Sequence, residues 1–446
     1  MTDIAADAVP APDPAIAAEA AVPRIATLDI VRGVAIMGIL AMNIVAFSMP
    51  FQAYMNPTAY GLESNADLAS WVFSFIFVDG KMRGLFSFLF GASTLLVIER
   101  AEAAGESPVR VHYMRMIWLL VFGLIHFYFI WFGDILALYA QTGLILFFFR
   151  KLSARALVRW GVGLVLVQTL LFAAVAAWAQ YLSAAASLPP DQAATWREMQ
   201  EGFVPLTGRA LVREIALYQG PYAGLVHERL IEHLRKPFTG TPLFLAETLG
   251  YMVLGMAALK SGFFRGDWPA LRYRKWALAC LGIAVPVYAL LAFLLVRQGF
   301  ATENIFVWSI AATTPVRPVM VVGLAALVIL LTRNGGWLVD RIAAAGRAAF
   351  TNYLGTSILM TTLFYGYGIG LYGTMSRIEL WLPVIGTWAL MLLWSKPWLD
   401  RFRYGPFEWL WRSLARMRPQ PMRPSPVIPA KAGIPLPSTA AGEREK

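Results

Sequence analysis

An all-α bundle of transmembrane helices, with about ten crossings and one of them interrupted near Gly80, is the fold class this sequence predicts. Three observations carry it. Of the 446 residues, 58% are hydrophobic and only 15% charged, and the mean hydropathy is +0.58, well outside the range of soluble domains. Apolar runs of spanning length alternate with short loops, and Lys and Arg gather in every second loop, as the positive-inside rule requires. Residues 114–149 hold two apolar runs joined only by residues 131–134, so the chain must turn straight back there as a helical hairpin.

The same composition excludes other classes. A net charge of +11 and a pI near 9.8 suggest nucleic acid, yet the basic residues flank apolar spans, so the bilayer is the partner and nucleic acid is not. The single cysteine, Cys280, lies in an apolar run. It rules out an internal disulfide, and no pattern for a metal centre or a bound cofactor is present.

In chain order, residues 1–23 are rich in Ala and Pro with scattered acids and read as a disordered tail, lacking the basic and apolar regions of a signal peptide. The first span covers residues 30–50, and loop 51–67 carries Glu63 and Asp67 without a basic residue, which places it outside. Residues 68–99 are split by Asp79-Gly80-Lys81-Met82-Arg83. One broken crossing keeps the basic segment 100–115 inside, whereas two crossings would not, so Lys81 and Arg83 are expected at membrane depth. The hairpin follows, then a fifth span at 160–182, which completes an N-terminal bundle over 24–183.

Residues 184–242 form the one long polar loop, expected outside. Its His227 and His233 are six apart and do not share a helix face, so an amphipathic surface helix is expected there rather than a zinc helix. A C-terminal bundle over 243–412 supplies spans at 243–264, 276–296, 315–331, 350–372 and 380–394. Residues 413–446, basic and Pro-rich, read as a second disordered tail. Ten crossings put both termini in the cytoplasm.

Ionisable groups inside hydrocarbon are costly unless they face a cavity or a partner, which makes them the candidate site. His126 is the only one of the four histidines within an apolar span; Asp134 sits at the hairpin turn, and Tyr139 and Gln141 lie just beyond. About two helical turns separate His126 from Asp134, so direct contact is expected only if the helix bends near Gly133. Arg24, Asp29 and Arg32 stand at the inner end of the first helix, where Asp29 and Arg32 can pair at i,i+3 and where Arg geometry also suits a phosphate or carboxylate. Asn43, near the outer end of that helix, and Asn352, in a Thr-Asn-Tyr triplet, suit interhelical hydrogen bonds. Glu247 lies about one turn inside the sixth span. Gly405–Arg412 reads as an interfacial helix with Trp anchors and a Glu408–Arg412 pair.

Taken as an ordered set, Arg24–Gly33, Gly80–Gly91, Gly123–His126, Gly133–Tyr139, Thr351–Leu354 and Gly405–Trp409 resemble the YeiB-like family of bacterial inner-membrane proteins, whose C-terminal half is domain of unknown function 418. The opening Leu-Asp-x-x-Arg-Gly is also similar to the first helix of membrane acyltransferases, which modify envelope sugars or lipids using cytoplasmic acyl-CoA. In one branch of that group a His follows the Asp by fourteen residues; here Asn43 stands there, and Asn cannot serve as a general base at neutral pH. The resemblance implies an acyltransferase-like enzyme with acyl-CoA as co-substrate, no resident cofactor, and an envelope glycan or lipid as acceptor. On that expectation His126 is the base and Asp134 its orienter. Asn43 or Asn352 is the oxyanion donor, Tyr139 lines the acceptor site, and Lys81 and Arg83, or Arg24, Asp29 and Arg32, form the donor site. The alternative expectation is a transporter or lipid-handling protein with its gate at the broken span.

Overall fold

A computed structural model describes residues 25–185 and 187–423. Arg24 and most of both tails lie outside the described residues, so the expectations for them stay with the sequence. Among the described residues every regular element is helical. Seven segments are long and apolar enough to cross a membrane: Ala26–Ser48, Asn65–Ala103, Pro108–Ile130, Ala154–Ala184, Thr241–Lys260, Ala270–Arg297 and Thr302–Leu331. The protein is an integral membrane protein. The other three expected crossings fall on the apolar segment Leu136–Phe149 and on the helices Ala349–Phe364 and Trp381–Arg401.

Burial sorts these helices into a centre and a rim. Helix α1 (Ala26–Ser48) is 78% buried across its apolar window, and residues on every side of it pack inward. Helix α6 (Ala154–Ala184) is only 28% buried, and Leu166, Val167, Leu170 and Leu171 point outward. An apolar face turned outward is what lipid stabilises and water does not. Without a hydrophobic driving force between helices, close approach depends on small residues. A Cβ at Gly91 of α3 (Lys81–Ala103) would lie 1.8 Å from the Met252 carbonyl oxygen of α10 (Thr241–Lys260), and one at Gly255 would lie 1.8 Å from that of Phe88. The same device joins α1 to α13 (Trp337–Arg347), where Gly33 abuts the Ile342 carbonyl and Gly346 abuts that of Asp29.

The expected break in the second crossing is present. Helix α2 (Asn65–Phe77) ends, Gly80 takes φ +69, and α3 begins at Lys81. Only glycine suits this position, because a left-handed backbone coincides with crowding: a Cβ there would be 2.7 Å from the Arg317 Nε.

Helix α4 (Pro108–Ile125) runs into a widened π turn over His126–Ile130, and α5 (Leu136–Leu146) returns. Between them Trp131 stacks on Phe47 at 3.8 Å and plugs the bend. Segment 184–242 is more than a polar loop: it folds into α7 (Pro190–Glu201), α8 (Gly208–Tyr218) and α9 (Tyr222–Ile231), a cap whose α9 end lies on the hairpin turn and whose α8 lies on the turn after Phe364. Tyr222 donates to the Phe129 carbonyl and Tyr128 to that of Leu234, both at 2.5 Å; Gln141 donates to the Pro237 carbonyl at 2.9 Å.

Helix α11 (Ala270–Arg297) and α12 (Thr313–Leu331) follow. The ninth expected span is shorter than 350–372: α14 (Ala349–Phe364) stops at Phe364, and the next residues turn back beneath the cap, where the Gly366 amide donates to the Tyr218 carbonyl at 2.9 Å. After α15 (Trp381–Arg401), the interfacial helix is α16 (Pro406–Ala415). Its Glu408 does not serve the expected pair with Arg412. It caps α14 instead, accepting from the Phe350 and Thr351 amides and the Thr351 hydroxyl. The folded chain also continues past residue 412, with Gln420 buried and its carbonyl accepting from Trp409 Nε1 at 2.7 Å.

Replacing Gly91 with Leu should overpack the α3–α10 contact and cost about 1–3 kcal/mol. Thermal unfolding of the detergent-purified variant measures it. Gly163→Leu, where no atom lies within 4 Å of a built Cβ, should leave the transition where it was.

Candidate active site

Two polar centres lie inside the bundle, and each sits at an interruption of helix. The first is the broken crossing. Glu247, fully buried on α10, accepts from Arg83 Nη2 of α3 at 2.6 Å and from Arg317 Nη1 of α12, while the Tyr251 hydroxyl donates to it at 3.3 Å. Its backbone amide donates to the Gln168 side chain of α6 at 3.2 Å. Three helices thus meet on one carboxylate, and a fourth holds the backbone of the residue that carries it. Lys81, 1% exposed, donates to the Phe75 carbonyl, and its Nζ lies 3.5 Å from the Tyr288 ring centroid. Asp79 accepts from the Tyr54 hydroxyl at 2.9 Å. A cavity of about 50 Å³ opens beside Asp79 and reaches Tyr54, Ser70 and Arg377.

Sequence reading placed Lys81, Arg83 and Glu247 here but missed Arg317. Its signal was available: a cation between Pro315 and Pro318 inside an apolar run is an intramembrane charge in need of a partner.

The second centre is the hairpin. His126 Nδ1 lies 2.9 Å from Asp134 Oδ1, and both side chains are at most 1% exposed. The condition set for their contact, a bend near Gly133, is met. The π turn at 126–130 widens the helix end, the chain leaves helical geometry at Trp131, and Asp134 swings back under the imidazole. Asp134 Oδ2 accepts from the Ala137 amide at 2.7 Å, so the same carboxylate also caps α5. Gly123 makes room, since a Cβ there would lie 3.0 Å from Asp134 Oδ2. Nδ1 faces a carboxylate and is therefore the nitrogen that donates, which leaves Nε2 as the free end of the ring. That nitrogen is buried and, among the described residues, has no hydrogen-bond partner.

Tyr353 is the neighbour that sequence reading passed over in favour of Asn352. Its ring centroid is 5.1 Å from that of His126, and its hydroxyl accepts from the Ile135 amide at 3.3 Å. Asn352 faces the other way: its amide donates to Ala345 and Ser395, and its carbonyl accepts from Trp394, all on the α13 and α15 side. Adjacent helical positions point about 100° apart, so one residue of register decides the matter. Asn43 lines a narrow crevice of about 10 Å³ with Tyr353, Thr356 and Ser357. Tyr139 lies between the centres, its hydroxyl 2.6 Å from Ser87 Oγ and donating to the Arg83 carbonyl at 3.0 Å. At the far end of α1, Arg32 pairs with Asp29 at 3.0 Å, as expected, and donates to Ser93.

Comparison with known proteins returns one family model, described as a protein of unknown function (DUF418), matching residues 258–418. The chain is 32% identical over 415 residues to the uncharacterized protein YxaH of Bacillus subtilis (strain 168), covering 90% of this chain and 96% of that one. It is 31% identical over 410 residues to the uncharacterized protein YeiB of Escherichia coli (strain K12), covering 88% and 96%. An uncharacterized 39.9 kDa protein in the amylase 3' region of Bacillus acidopullulyticus is 26% identical over 402 residues.

Removing the carboxylate of Glu247 would strand two arginines inside the bundle. Glu247→Ala is expected to cost about 3–5 kcal/mol. The check is the unfolding temperature in detergent, where the variant should fall well below Glu232→Ala, a substitution in the cap.

Proposed function

The chain belongs to the YeiB-like DUF418 family, and on that premise we propose that it is an acyltransferase-like enzyme of the bacterial inner membrane, moving an acyl group from cytoplasmic acyl-CoA to an envelope sugar or lipid hydroxyl. The single observation that supports this reading most is the His126–Asp134 contact at 2.9 Å with Nε2 left bare. Acyl transfer to a hydroxyl needs a base poised near neutral pH, held in one tautomer by a carboxylate. Nε2 takes the proton of the acceptor hydroxyl as its oxygen attacks the thioester carbonyl. The carbon–sulfur bond then breaks, and the imidazolium returns that proton to the departing CoA thiolate. Asp134 holds Nδ1–H throughout and steadies the charged ring. Asn43, on the crevice beside Tyr353, is the side chain proposed to donate to the developing oxyanion; Asn352 is withdrawn from that role by its bonds to α13 and α15.

His126 is enclosed in this conformation, so turnover requires the cap to lift from the hairpin turn. Donor phosphates are assigned to the basic end of α1, where Arg32 and Asp29 lie, since Arg83 is already committed to Glu247. Both termini are placed in the cytoplasm.

One observation favours a second reading, a transporter or lipid-handling protein: the cavity beside Asp79 lies against the broken crossing, where Lys81 and Arg83 meet Arg317 of α12. On that reading Lys81 and Arg83 line a gated path.

Vesicles holding the purified protein separate the two. Acyl-CoA consumption with CoA release, reduced about 10²-fold or more in His126→Ala and in Asp134→Asn, supports the enzyme. Solute flux without CoA release, unchanged in His126→Ala, sinks it in favour of the second reading. A reporter fused after Pro57 should report the external face; a cytoplasmic signal there would reverse the topology.

A further inference from the structure

Arg229, in the last turn of α9, is 4% exposed, and among the described residues neither Nη1 nor Nη2 has a hydrogen-bond partner. A guanidinium does not give up its proton, so a full positive charge has been withdrawn from water with its two-pronged fork empty. Its surroundings supply hydroxyls. Arg229 acts electrostatically on the phenols of Tyr218, Tyr222 and Tyr365. Tyr218 stacks on Tyr372 at 4.3 Å and meets Tyr365 edge-on at 5.0 Å. The Tyr365 hydroxyl is itself buried and unpartnered.

Glu228 feels the charge of Arg229, but among the described residues no acid of the cap comes within ion-pair distance of its guanidinium. Glu214 accepts from the Tyr372 hydroxyl at 3.4 Å, and burial together with Glu228 pushes its carboxyl above the usual range. Glu228 faces His233 Nδ1 at 4.0 Å. Two charged nitrogens and a hydroxyl, all buried and all without acceptors, form an incomplete arrangement, because buried donors are ordinarily satisfied.

We infer that Arg229 anchors an oxyanion, the phosphate or carboxylate of a ligand seated between the cap and the turn after α14, with the Tyr365 hydroxyl as a further donor. The fork matches two oxygens of one such group, and a phenol donates to a third position without adding charge. The cap that carries Arg229 is tied to the π turn after α4 through the Tyr222–Phe129 and Tyr128–Leu234 bonds. The inference rests on the cap and the turn after α14, and stands whichever chemistry the bundle performs.

The test is thermal unfolding of the full chain in a neutral maltoside, titrated with inorganic phosphate, beside Arg229→Met and Arg229→Lys. Phosphate should stabilise the wild type, with apparent affinity at least about tenfold weaker in Arg229→Met, and Arg229→Lys, charged but without the fork, should fall between. Without phosphate Arg229→Met should be no less stable than the wild type, because it removes an unpaired buried charge. A wild type that responds only in discs of phosphatidylglycerol and not of phosphatidylcholine, through Arg229, identifies the oxyanion as a lipid headgroup. A response to phosphate in maltoside identifies a soluble one. No Arg229-dependent response in either medium, or an Arg229→Met protein that is simply less stable without any anion effect, overturns the inference.

Discussion

Irregular backbone at membrane depth is tolerated only where protein covers it, and the architecture follows from meeting that demand twice. The break at Gly80 and the bend at 131–135 each free backbone groups and admit ionisable side chains. At the first, Glu247 draws Arg83 and Arg317 onto one buried carboxylate, and two of the three helices involved, α3 and α10, are among the most buried. At the second, Asp134 satisfies both an imidazole and the start of α5. Glycine contacts of the Gly91 and Gly255 kind bring the backbones close enough for these short bonds to form. The rim helices carry little of this and face outward with Leu and Val.

What could be read from the residues depended on whether a property was periodic or pairwise. Apolar runs, the interruption near Gly80, the hairpin and the pairing of Asp29 with Arg32 are local, and each is present. Contacts between distant segments were not legible. Glu247 could be recognised as an intramembrane acid, but nothing in its own helix names Arg83 or Arg317 as partners. The His126–Asp134 contact depends on a π turn, which leaves no clear mark in composition. Asn352 was chosen over Tyr353 because an amide is the more conspicuous polar group; the register of α14 turns the tyrosine toward the histidine. The cap was hidden for a different reason. Its helices pack through backbone carbonyls and tyrosines onto the turns after α4 and α14, and such contacts need no apolar run.

The two centres are mechanically joined. Tyr139, on α5, donates to the carbonyl of Arg83 in the first turn of α3, so the returning arm of the hairpin is tied to the start of the helix beyond the break. A displacement at Gly80 that moved the first turn of α3 would pull on α5, and with it the Asp134 cap that orients His126. At the other end of the hairpin the cap holds the bend through Tyr128 and Tyr222. The imidazole is therefore clamped from two sides by elements far apart in sequence.

Enclosure of His126 bears on the kind of chemistry proposed for it. A buried nitrogen without a partner costs about 1–3 kcal/mol, and a site that served only packing would be expected to fill that position with an apolar ring or supply a donor. An acyl thioester is open to attack by water as well as by an acceptor hydroxyl, so an enzyme that transfers rather than hydrolyses gains from keeping its base dry until an acceptor arrives. On the proposed reading the unpartnered Nε2 and the closed cap are two sides of one requirement. On that same reading, the cap would decide when the base meets a proton it can take.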